Sequence, residues 1–564
     1  MTPTIVYTMN EPVGSKIFNF NKFSTSLDVK SFLKDSSILP CSCNDSKFKD
    51  PFHNHIITGD LSIIKNQKLR KLFSRGPKFR EPKQLDFQAA REEIITGIDK
   101  CIEAYSERHH LNKVVLKAWK IEVLKAVDDK IEEVVPRLKL DVVSEVLKDP
   151  DCRRSLSDLQ KRFVIAPIDK ATGNISLICK RFYAEVLVNE LGLKGEGSAT
   201  YTSVRKKSDK IVSQHKKDVK EKFGVDVTVE NEKLPNIYWL PKLHKNPLKF
   251  RFIIAAPSCS VKALSKAVTS VFRLFYNQIE NYNMKCCYYS SVKTFWVIEN
   301  NKEVLNSLNK LNKRGKASRI STFDFSTLYT KIPHDKLLKV LDELTDVCFN
   351  GGDRELLSAT KSGARWVTKP STFGITFTKV SFKEAVKYLM NNCFFTLGDH
   401  VYRQKIGIPM GSDPAPFMAN LFLYHYESKY VKEVKKSDIF VARKFRHTFR
   451  FIDDLVAIND DGELEKCQSD IYPSELELKK EHGDNNVSFL DLSIDIKGRF
   501  FETSLYDKRD SFPFSIVRMP YKCSNMPSKI FKATIGGEIL RIGRASSSKV
   551  SFFGSARIVL ERVM

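Results

Sequence analysis

Two adjacent carboxylates, Asp453 and Asp454, are the residues of this sequence best placed to do chemistry together. They stand between apolar residues in the segment 448–458, and turn-forming residues follow at 459–462. This pattern predicts a tight β-hairpin with both carboxylates at its tip. Neighbouring carboxylates repel each other, so a half-buried pair is stable mainly when a cation or a proton neutralises it. The alternative is a solvated Asp-Asp turn.

A third carboxylate, Asp324, stands at the end of a β-like run, and a helical pattern begins after Pro333. A carboxylate at a strand end beside a loop lies where a site can form. With Asp453 and Asp454 it would make a cage of hard oxygen ligands for Mg²⁺ held together with substrate phosphates. Two such ions ~3.5–4 Å apart would activate a 3′-hydroxyl and stabilise leaving pyrophosphate, which is nucleotidyl transfer.

These residues belong to an ordered set of motifs that resembles motifs A, B and C of reverse transcriptases. The set is Phe323-Asp324 with Tyr329, then Gly407-Ile408-Pro409-Met410-Gly411-Ser412, then Phe451-Ile452-Asp453-Asp454. Upstream, Leu240-Pro241-Lys242-Leu243-His244-Lys245 and residues 250–254 resemble the beginning of the polymerase domain in Penelope-like retroelements, and residues 323–333 fit the same group. The resemblance covers about residues 160 to 550. It depends on the ordered combination of these motifs, since no single motif would suffice.

The resemblance implies an α+β fold: a right-hand polymerase with fingers, palm and partial thumb, preceded by a helical N-terminal extension. It implies an RNA-directed DNA polymerase that uses Mg²⁺, an RNA template, a DNA primer and dNTPs. The regions would be residues 1–85 (basic), 86–160 (helical), 161–317 (fingers), 318–485 (palm, with an insertion at 350–400) and 486–564 (primer grip and partial thumb).

The same resemblance suggests roles for residues outside the three carboxylates. Arg251 would bind the nucleotide triphosphate through a two-pronged guanidinium, with Lys249 as a point charge, although an ordinary surface ion pair is the alternative. Gly411 would let backbone approach the base pair closely. Further candidates are the general acids Lys479 and Lys480 and the primer contacts Phe451, Phe489 and Leu490.

Tyr329, five positions after Asp324, bears on the choice of sugar. A bulky ring beside the sugar would clash with a ribose 2′-hydroxyl, whereas enzymes that make RNA tend to carry an acidic residue there. The residue therefore favours deoxynucleotides, unless it is a simple core aromatic. Two other functions stay open: a non-catalytic nucleic-acid-binding remnant of a retroelement, and an RNA-templated RNA polymerase.

Composition favours a polyanionic partner, because the formal net charge is +26 and the pI about 9.4. The 12 cysteines show no regular spacing, and neither a signal segment nor a membrane-length apolar run is visible. We expect an intracellular, nuclear protein with no membrane segment. Many Penelope-like proteins carry a GIY-YIG nuclease after the polymerase, and this sequence contains no Gly-Ile-Tyr. The resemblance therefore implies either a truncated chain or priming from pre-existing 3′ ends.

A zinc site is a further hypothesis for the N-terminal region. The candidates are Cys41, Cys43, His53 and His55. Their Cys-x-Cys and His-x-His spacings differ from common structural-zinc patterns, so buried thiols and loop histidines are the alternative.

Overall fold

A computed structural model describes most of the chain. The described residues are 11–41, 43, 55–81, 91–92, 94–100, 102–103, 113–134, 145–195, 197–351, 354–360, 363–507, 511–521 and 523–561. His53 and much of the predicted helical region 86–147 lie outside these residues.

The described helices are, in chain order, α1 (Val13–Ile17), α2 (Phe20–Ser26), α3 (Val29–Lys34), α4 (Gln67–Ser74), α5 (Lys113–Val134), α6 (Pro150–Arg162), α7 (Lys180–Glu190), α8 (Ser208–Phe223), α9 (Lys262–Ser290), α10 (Lys302–Asn312), α11 (Leu328–Lys331), α12 (His334–Phe349), α13 (Lys379–Asn391), α14 (Ala415–Ser437), α15 (Ile439–Lys444), α16 (Glu463–Ile471), α17 (Ser528–Ala545) and α18 (Lys549–Glu561). Short 3-10 helices lie at Ser36–Ile38, Val146–Lys148, Val229–Asn231 and Phe445–His447.

The strands are β1 (Ile56–Ile57), β2 (Phe163–Ile168), β3 (Ala171–Cys179), β4 (Tyr201–Val204), β5 (Asn236–Lys242), β6 (Lys249–Ala255), β7 (Ile320–Phe325), β8 (Leu356–Thr360), β9 (Gly363–Val367), β10 (Ile375–Thr378), β11 (Phe394–Leu397), β12 (His400–Gln404), β13 (Thr448–Phe451), β14 (Asp454–Ile458), β15 (Leu478–Asp484), β16 (Asn486–Phe489), β17 (Leu492–Lys497) and β18 (Phe500–Leu505). The fold therefore mixes helices and sheets, as predicted.

The chain divides into two compact units. The smaller comprises Met1–Phe18, Lys49–Ile178 and Phe514–Gly537, and the larger comprises Asn19–Phe48, Cys179–Pro513 and Glu538–Met564. Among the described helices, none is long and apolar enough to cross a membrane. The five regions predicted from the sequence stay a prediction.

The smaller unit is built on a three-stranded sheet with strand order β1-β3-β2. Leu69, Leu72 and Phe73 of α4 are buried in its core, which explains why apolar residues interrupt the cations of the segment 68–80. The run Ala171-Thr172-Gly173 between two β-like segments predicts a hairpin turn, but β3 already begins at Ala171. The turn falls one step earlier, where Lys170 adopts a φ of +61°.

The larger unit contains the four-stranded antiparallel sheet β13-β14-β7-β15. Side chains alternate along β7, so Phe323 and Phe325 face a large core formed with α9, α12 and α14, whereas Ile320 faces a second core. That second core includes β16, β17 and β18. Apolar layers thus cover both faces of this sheet and hold its strands in register.

Two segments differ in detail from expectation. The apolar pattern of residues 487–494 predicts one strand, but Leu490 interrupts it with a φ of +55°. β16 and β17 are therefore two strands of a three-stranded sheet. The segment 350–400 contains the small sheet β10-β8-β9 and the strand β11. β11 and the next strand, β12, which begins at His400, join the sheet β4-β12-β11-β5-β6.

Candidate active site

The acidic pair lies at the tip of a tight hairpin, as predicted. β13 and β14 are antiparallel, and Phe451 is paired with Asp454. Ile452 and Asp453 form the turn between them, and Ile452 adopts a φ of +56°. A β-branched residue rarely adopts this conformation, so the surrounding contacts must hold the turn in place.

Asp324 reaches the same end of the sheet through strand pairing. It is directly opposite Asp454 in the β7–β14 register. The backbone N–H of Phe325 donates to the carbonyl oxygen of Asp453 at 3.1 Å. Directly opposed residues carry their side chains on the same face of a sheet, so Asp324 and Asp454 share one face beside the turn that carries Asp453.

A fully buried ion pair supports this turn from behind. The Arg450 and Glu427 side chains are both 0% exposed, and Nε and Nη2 of Arg450 donate to the Glu427 carboxylate at 2.6 and 3.1 Å. Nη1 of Arg450 donates to the carbonyl of Ile452 at 3.0 Å and to Oδ1 of Asn420 at 2.8 Å. Tyr472 donates its hydroxyl to Glu427 at 3.0 Å, and burial raises the pKa of Tyr472 well above its usual value.

This network ties the strained turn to helix α14, which carries Asn420 and Glu427. The guanidinium has partners on both of its outer edges, which is what makes its burial tolerable. The sequence analysis missed these roles. The available signal was an arginine between two phenylalanines in a strand, directly before the acidic pair.

The fourth strand separates the two candidate general acids. Lys479 is opposite Asp324, and Lys480 is opposite Phe323. Lys479 therefore shares the face of the carboxylates, and Lys480 lies on the other face. There its Nζ donates to Oε2 of Glu465 on α16 at 2.9 Å.

The predicted primer contacts border the acidic end of the sheet. Phe489 and Leu490 line a small polar cavity of about 40 Å³ together with Asp454 and Glu481. Phe451 packs against the same apolar core as Leu490. The structure thus brings these three candidates to the neighbourhood of Asp454.

The loop of residues 407–412 is fastened to the motif that carries Tyr329. The N–H of Ile408 donates to the Tyr329 carbonyl at 2.7 Å, and Nε2 of His334 donates to the Gly407 carbonyl at 2.7 Å. Gly407 has a φ of +84°, and a Cβ there would lie 2.3 Å from the Tyr329 carbonyl oxygen. The backbones approach so closely that only glycine fits.

The other end of this loop is fastened to β6, the strand of Arg251. The N–H of Ile254 donates to the Met410 carbonyl at 2.9 Å. Gly411 has a φ of +113°, and a Cβ there would lie 2.4 Å from the Ile254 carbonyl oxygen. A close contact within the protein therefore already requires glycine at this position.

One expectation about this loop is wrong. Asp413 followed by Pro414 is a sequence pattern that predicts a helix N-cap, but α14 begins after Pro414 without a side-chain cap. The Asp413 carboxylate instead accepts from Lys262 Nζ at 2.9 Å and from Ser265 Oγ at 3.1 Å, both on α9. An ion pair that is about three-quarters buried or more outweighs the capping bond here.

Tyr329 lies within electrostatic reach of the catalytic candidates. Burial raises the pKa of Tyr329 to about 12; the charge of Asp453 adds to this rise, and the charges of Arg450 and Arg251 oppose it. The ring is half-buried against the large core, so it is both a packing residue and a neighbour of the carboxylates. Lys249, exposed at the start of β6, is two residues from Arg251 on the same face.

Comparison with known proteins gives matches to solved structures alone. No protein-family model and no curated protein matches this sequence. Telomerase from Candida albicans, in complex with a TWJ fragment of telomeric RNA, is 12% identical, with a TM-score of 0.47 over 75% of this chain and 68% of that one.

Two structures of telomerase from Candida tropicalis match at 11% identity. The complex with a TWJ fragment of telomeric RNA has a TM-score of 0.46 over 96% of this chain and 75% of that one. The apo form has a TM-score of 0.45 over 100% and 87%. Scores below 0.5 at this identity do not establish a shared family, so function must be argued from the site.

Proposed function

We propose that this protein is an RNA-directed DNA polymerase, which extends a primer 3′-hydroxyl with deoxynucleotides. The observation that carries the proposal is the strand register that sets Asp324 opposite Asp454 beside the turn of Asp453. Three carboxylates are thereby gathered from two distant parts of the chain at one sheet end. Such a concentration of negative charge does not stabilise a sheet, because the carboxylates repel one another.

Mg²⁺ is the proposed cofactor. Three aspartate carboxylates provide the hard oxygen donors that Mg²⁺ prefers, so the residues fit this ion, and Asp324, Asp453 and Asp454 would hold it. When bound, Mg²⁺ neutralises phosphate charge and lowers the pKa of the attacking hydroxyl.

The remaining residues of the chain orient the reactants. Arg251 offers a two-pronged donor to the triphosphate, and Lys249 adds positive charge beside it. Lys479, on the face of Asp324, is the proposed donor of a proton to the leaving pyrophosphate. Phe451, Phe489 and Leu490 form an apolar border beside Asp454 that would support the primer end.

A more specific identity is proposed on the motifs alone: a polymerase of a Penelope-like retroelement. Its support is the run Leu240-Pro241-Lys242-Leu243-His244-Lys245 with the order of motifs A, B and C. The net charge of +26 suits RNA template and DNA primer. A nuclear location would follow from this identity.

Primer extension on an RNA template with dNTPs and Mg²⁺ tests the function. We expect extension by the wild type and none by Asp453→Asn. Both proteins should bind the primer-template with comparable affinity, measured at one fixed salt concentration. If neither extends and both bind, the chain is a non-catalytic nucleic-acid-binding remnant. A preference for ribonucleotides would favour an RNA polymerase.

Tyr329→Ala should relax the choice of sugar. Removal of the ring removes the proposed steric barrier to a 2′-hydroxyl, so the ratio of kcat/KM for dNTP to that for rNTP should fall by about 10-fold or more, equivalent to about 1.4 kcal/mol. Tyr329→Phe is the matched control, because it keeps the ring, and should keep the ratio. An unchanged ratio in Tyr329→Ala would leave the ring with a packing role only.

Lys479→Met and Lys480→Met should differ sharply. Loss of a general acid lowers kcat by about 10²-fold or more, and we expect this for Lys479→Met. Lys480→Met breaks its ion pair with Glu465, which costs at most about 1 kcal/mol of unfolding free energy, and should leave kcat within a few-fold. Single-turnover extension at one fixed pH, measured on both variants, gives the comparison. Equal effects would contradict the assignment by strand face.

A further inference from the structure

Three cysteines of the larger unit meet at a place remote in sequence from the acidic site. Cys41 and Cys43 follow the 3-10 helix at Ser36–Ile38, and Cys179 is the last residue of β3. The sulfur atoms of all three lie within 4.8 Å of one another. Cys179 is buried and the other two are half-buried.

The surrounding contacts hold these thiols together. Nε of Arg181, in the first turn of α7, donates to the Leu39 carbonyl at 2.8 Å, which fixes the loop just before Cys41. A hydrogen bond joins Cys43 to Cys179. Cys179 also occupies the N-cap position of α7. The arrangement is therefore a built cluster, not a chance meeting of side chains.

This geometry suits a thiophilic cation. Tetrahedral Zn²⁺ binds cysteine sulfur at ~2.3 Å, which sets neighbouring sulfurs ~3.8 Å apart, within the spacing that the three thiols already have. Three thiolates on one Zn²⁺ leave a negative charge. The start of helix α7, with Lys180 and Arg181 in its first turn, supplies compensating positive potential. Ordinary packing in an apolar core does not account for three sulfurs within 4.8 Å of one another when two of the three cysteines are only half-buried.

We infer that Cys41, Cys43 and Cys179 are ligands of one structural Zn²⁺, which fastens the loop after the 3-10 helix to the start of α7. The sequence hypothesis contained two of these ligands and missed the third. His55 belongs to the smaller unit and His53 lies outside the described residues, so the histidine part of that hypothesis stays a prediction. The inference does not depend on the proposed polymerase function.

Metal content of the full chain tests this inference. Protein purified without chelator should contain about one zinc per chain, measured by inductively coupled plasma mass spectrometry. Cys43→Ser and Cys179→Ser should each lose most of it. Cys259→Ser and Cys467→Ser are the matched controls, since both replace buried thiols elsewhere in the same unit, and should keep it.

A second measurement uses the wild type, so it does not depend on whether the variants fold. Stepwise addition of a mercurial reagent that modifies thiols should release the zinc, and Co²⁺ in its place should give the strong thiolate-to-metal absorption of a tetrahedral cobalt site. Full zinc retention in Cys43→Ser and Cys179→Ser would overturn the inference. So would a zinc-free wild type with a Cys43–Cys179 disulfide in its peptide map.

Discussion

Asp324→Asn should abolish primer extension, with kcat lowered by at least about 10³-fold, equivalent to about 4 kcal/mol of transition-state stabilisation. An amide keeps the size of the side chain but removes the charge that would hold the proposed Mg²⁺. Asp324 is opposite Asp454 in the sheet, and its side chain lies on the other face from Phe323 and Phe325, which face the large apolar core. The free energy of unfolding should therefore stay the same or rise slightly, because carboxylate repulsion is relieved.

Asp470→Asn is the control for this prediction. Asp470 is an exposed acid on α16 in the same unit, so its replacement removes one negative charge without touching the site. It should leave kcat within a factor of about 2, as for ordinary surface substitutions. Single-turnover extension and urea unfolding, measured on both variants, separate loss of chemistry from loss of fold.

The double variant Asp324→Asn with Asp454→Asn sharpens the test. If the two carboxylates act as a unit on the same cation, the double variant should be no slower than the slower single variant. If instead the rate losses of the two single variants multiply in the double variant, the two aspartates act independently. That outcome would contradict the shared site derived from the strand register.

The sequence was sufficient where signals are local. The hairpin of Asp453 and Asp454 follows from an apolar run, an acidic pair and a turn segment that are adjacent in the chain, and the structure contains it. The helix α12 after Pro333 was predicted for the same reason. Asp324 was grouped with the pair because it ends a β-like run beside a loop, but no local pattern predicts that it lies opposite Asp454, since the pairing of β7 with β14 joins distant segments.

Predictions from the sequence were wrong or incomplete where a residue distant in the chain determines the local structure. Asp413 has the residue type and position of a helix cap, yet Lys262 and Ser265 of α9 take its carboxylate. Leu490 interrupts a predicted strand with a positive φ that no glycine or asparagine announces. Cys179 could not be grouped with Cys41 and Cys43, because only the folded chain brings them together.

Strand register is a third feature that the sequence alone does not predict. Lys479 and Lys480 are neighbours in sequence with the same charge, and composition cannot rank them. Side chains alternate between faces with a period of two, so the pairing of β15 with β7 decides which lysine shares the face of Asp324. The register of this pair also shifts between Lys480 and His482, an irregularity that no local pattern predicts.

The buried pair of Arg450 and Glu427 gives the second large effect that we expect. Glu427→Ala leaves a fully buried guanidinium without its carboxylate and should lower the free energy of unfolding by about 3–5 kcal/mol. Glu427→Gln keeps the shape and one acceptor oxygen and should cost less. Urea unfolding of the two variants measures the difference in unfolding free energy, provided that both unfold with the same m-value.

Stability alone does not show why a charge is buried there, so an apolar replacement is the decisive variant. Arg450→Met combined with Glu427→Met and Tyr472→Phe removes the ion pair and the hydroxyl that depends on it. Replacing a buried ion pair with apolar side chains of similar volume is often neutral for stability, so most of the unfolding free energy should return. The donor to the Ile452 carbonyl does not return, because methionine has none.

The expected result of that triple variant is a stable protein with poor chemistry. Without Arg450, the turn at Ile452 loses the contact that opposes its strained φ, and Asp453 is no longer held in place. A displacement of about 1 Å at a reacting centre costs about 10²-fold in rate, and we expect a fall of this size in kcat together with a higher Mg²⁺ requirement. Wild-type kcat in the stable triple variant would mean that the buried pair serves folding alone and that the turn holds its own geometry.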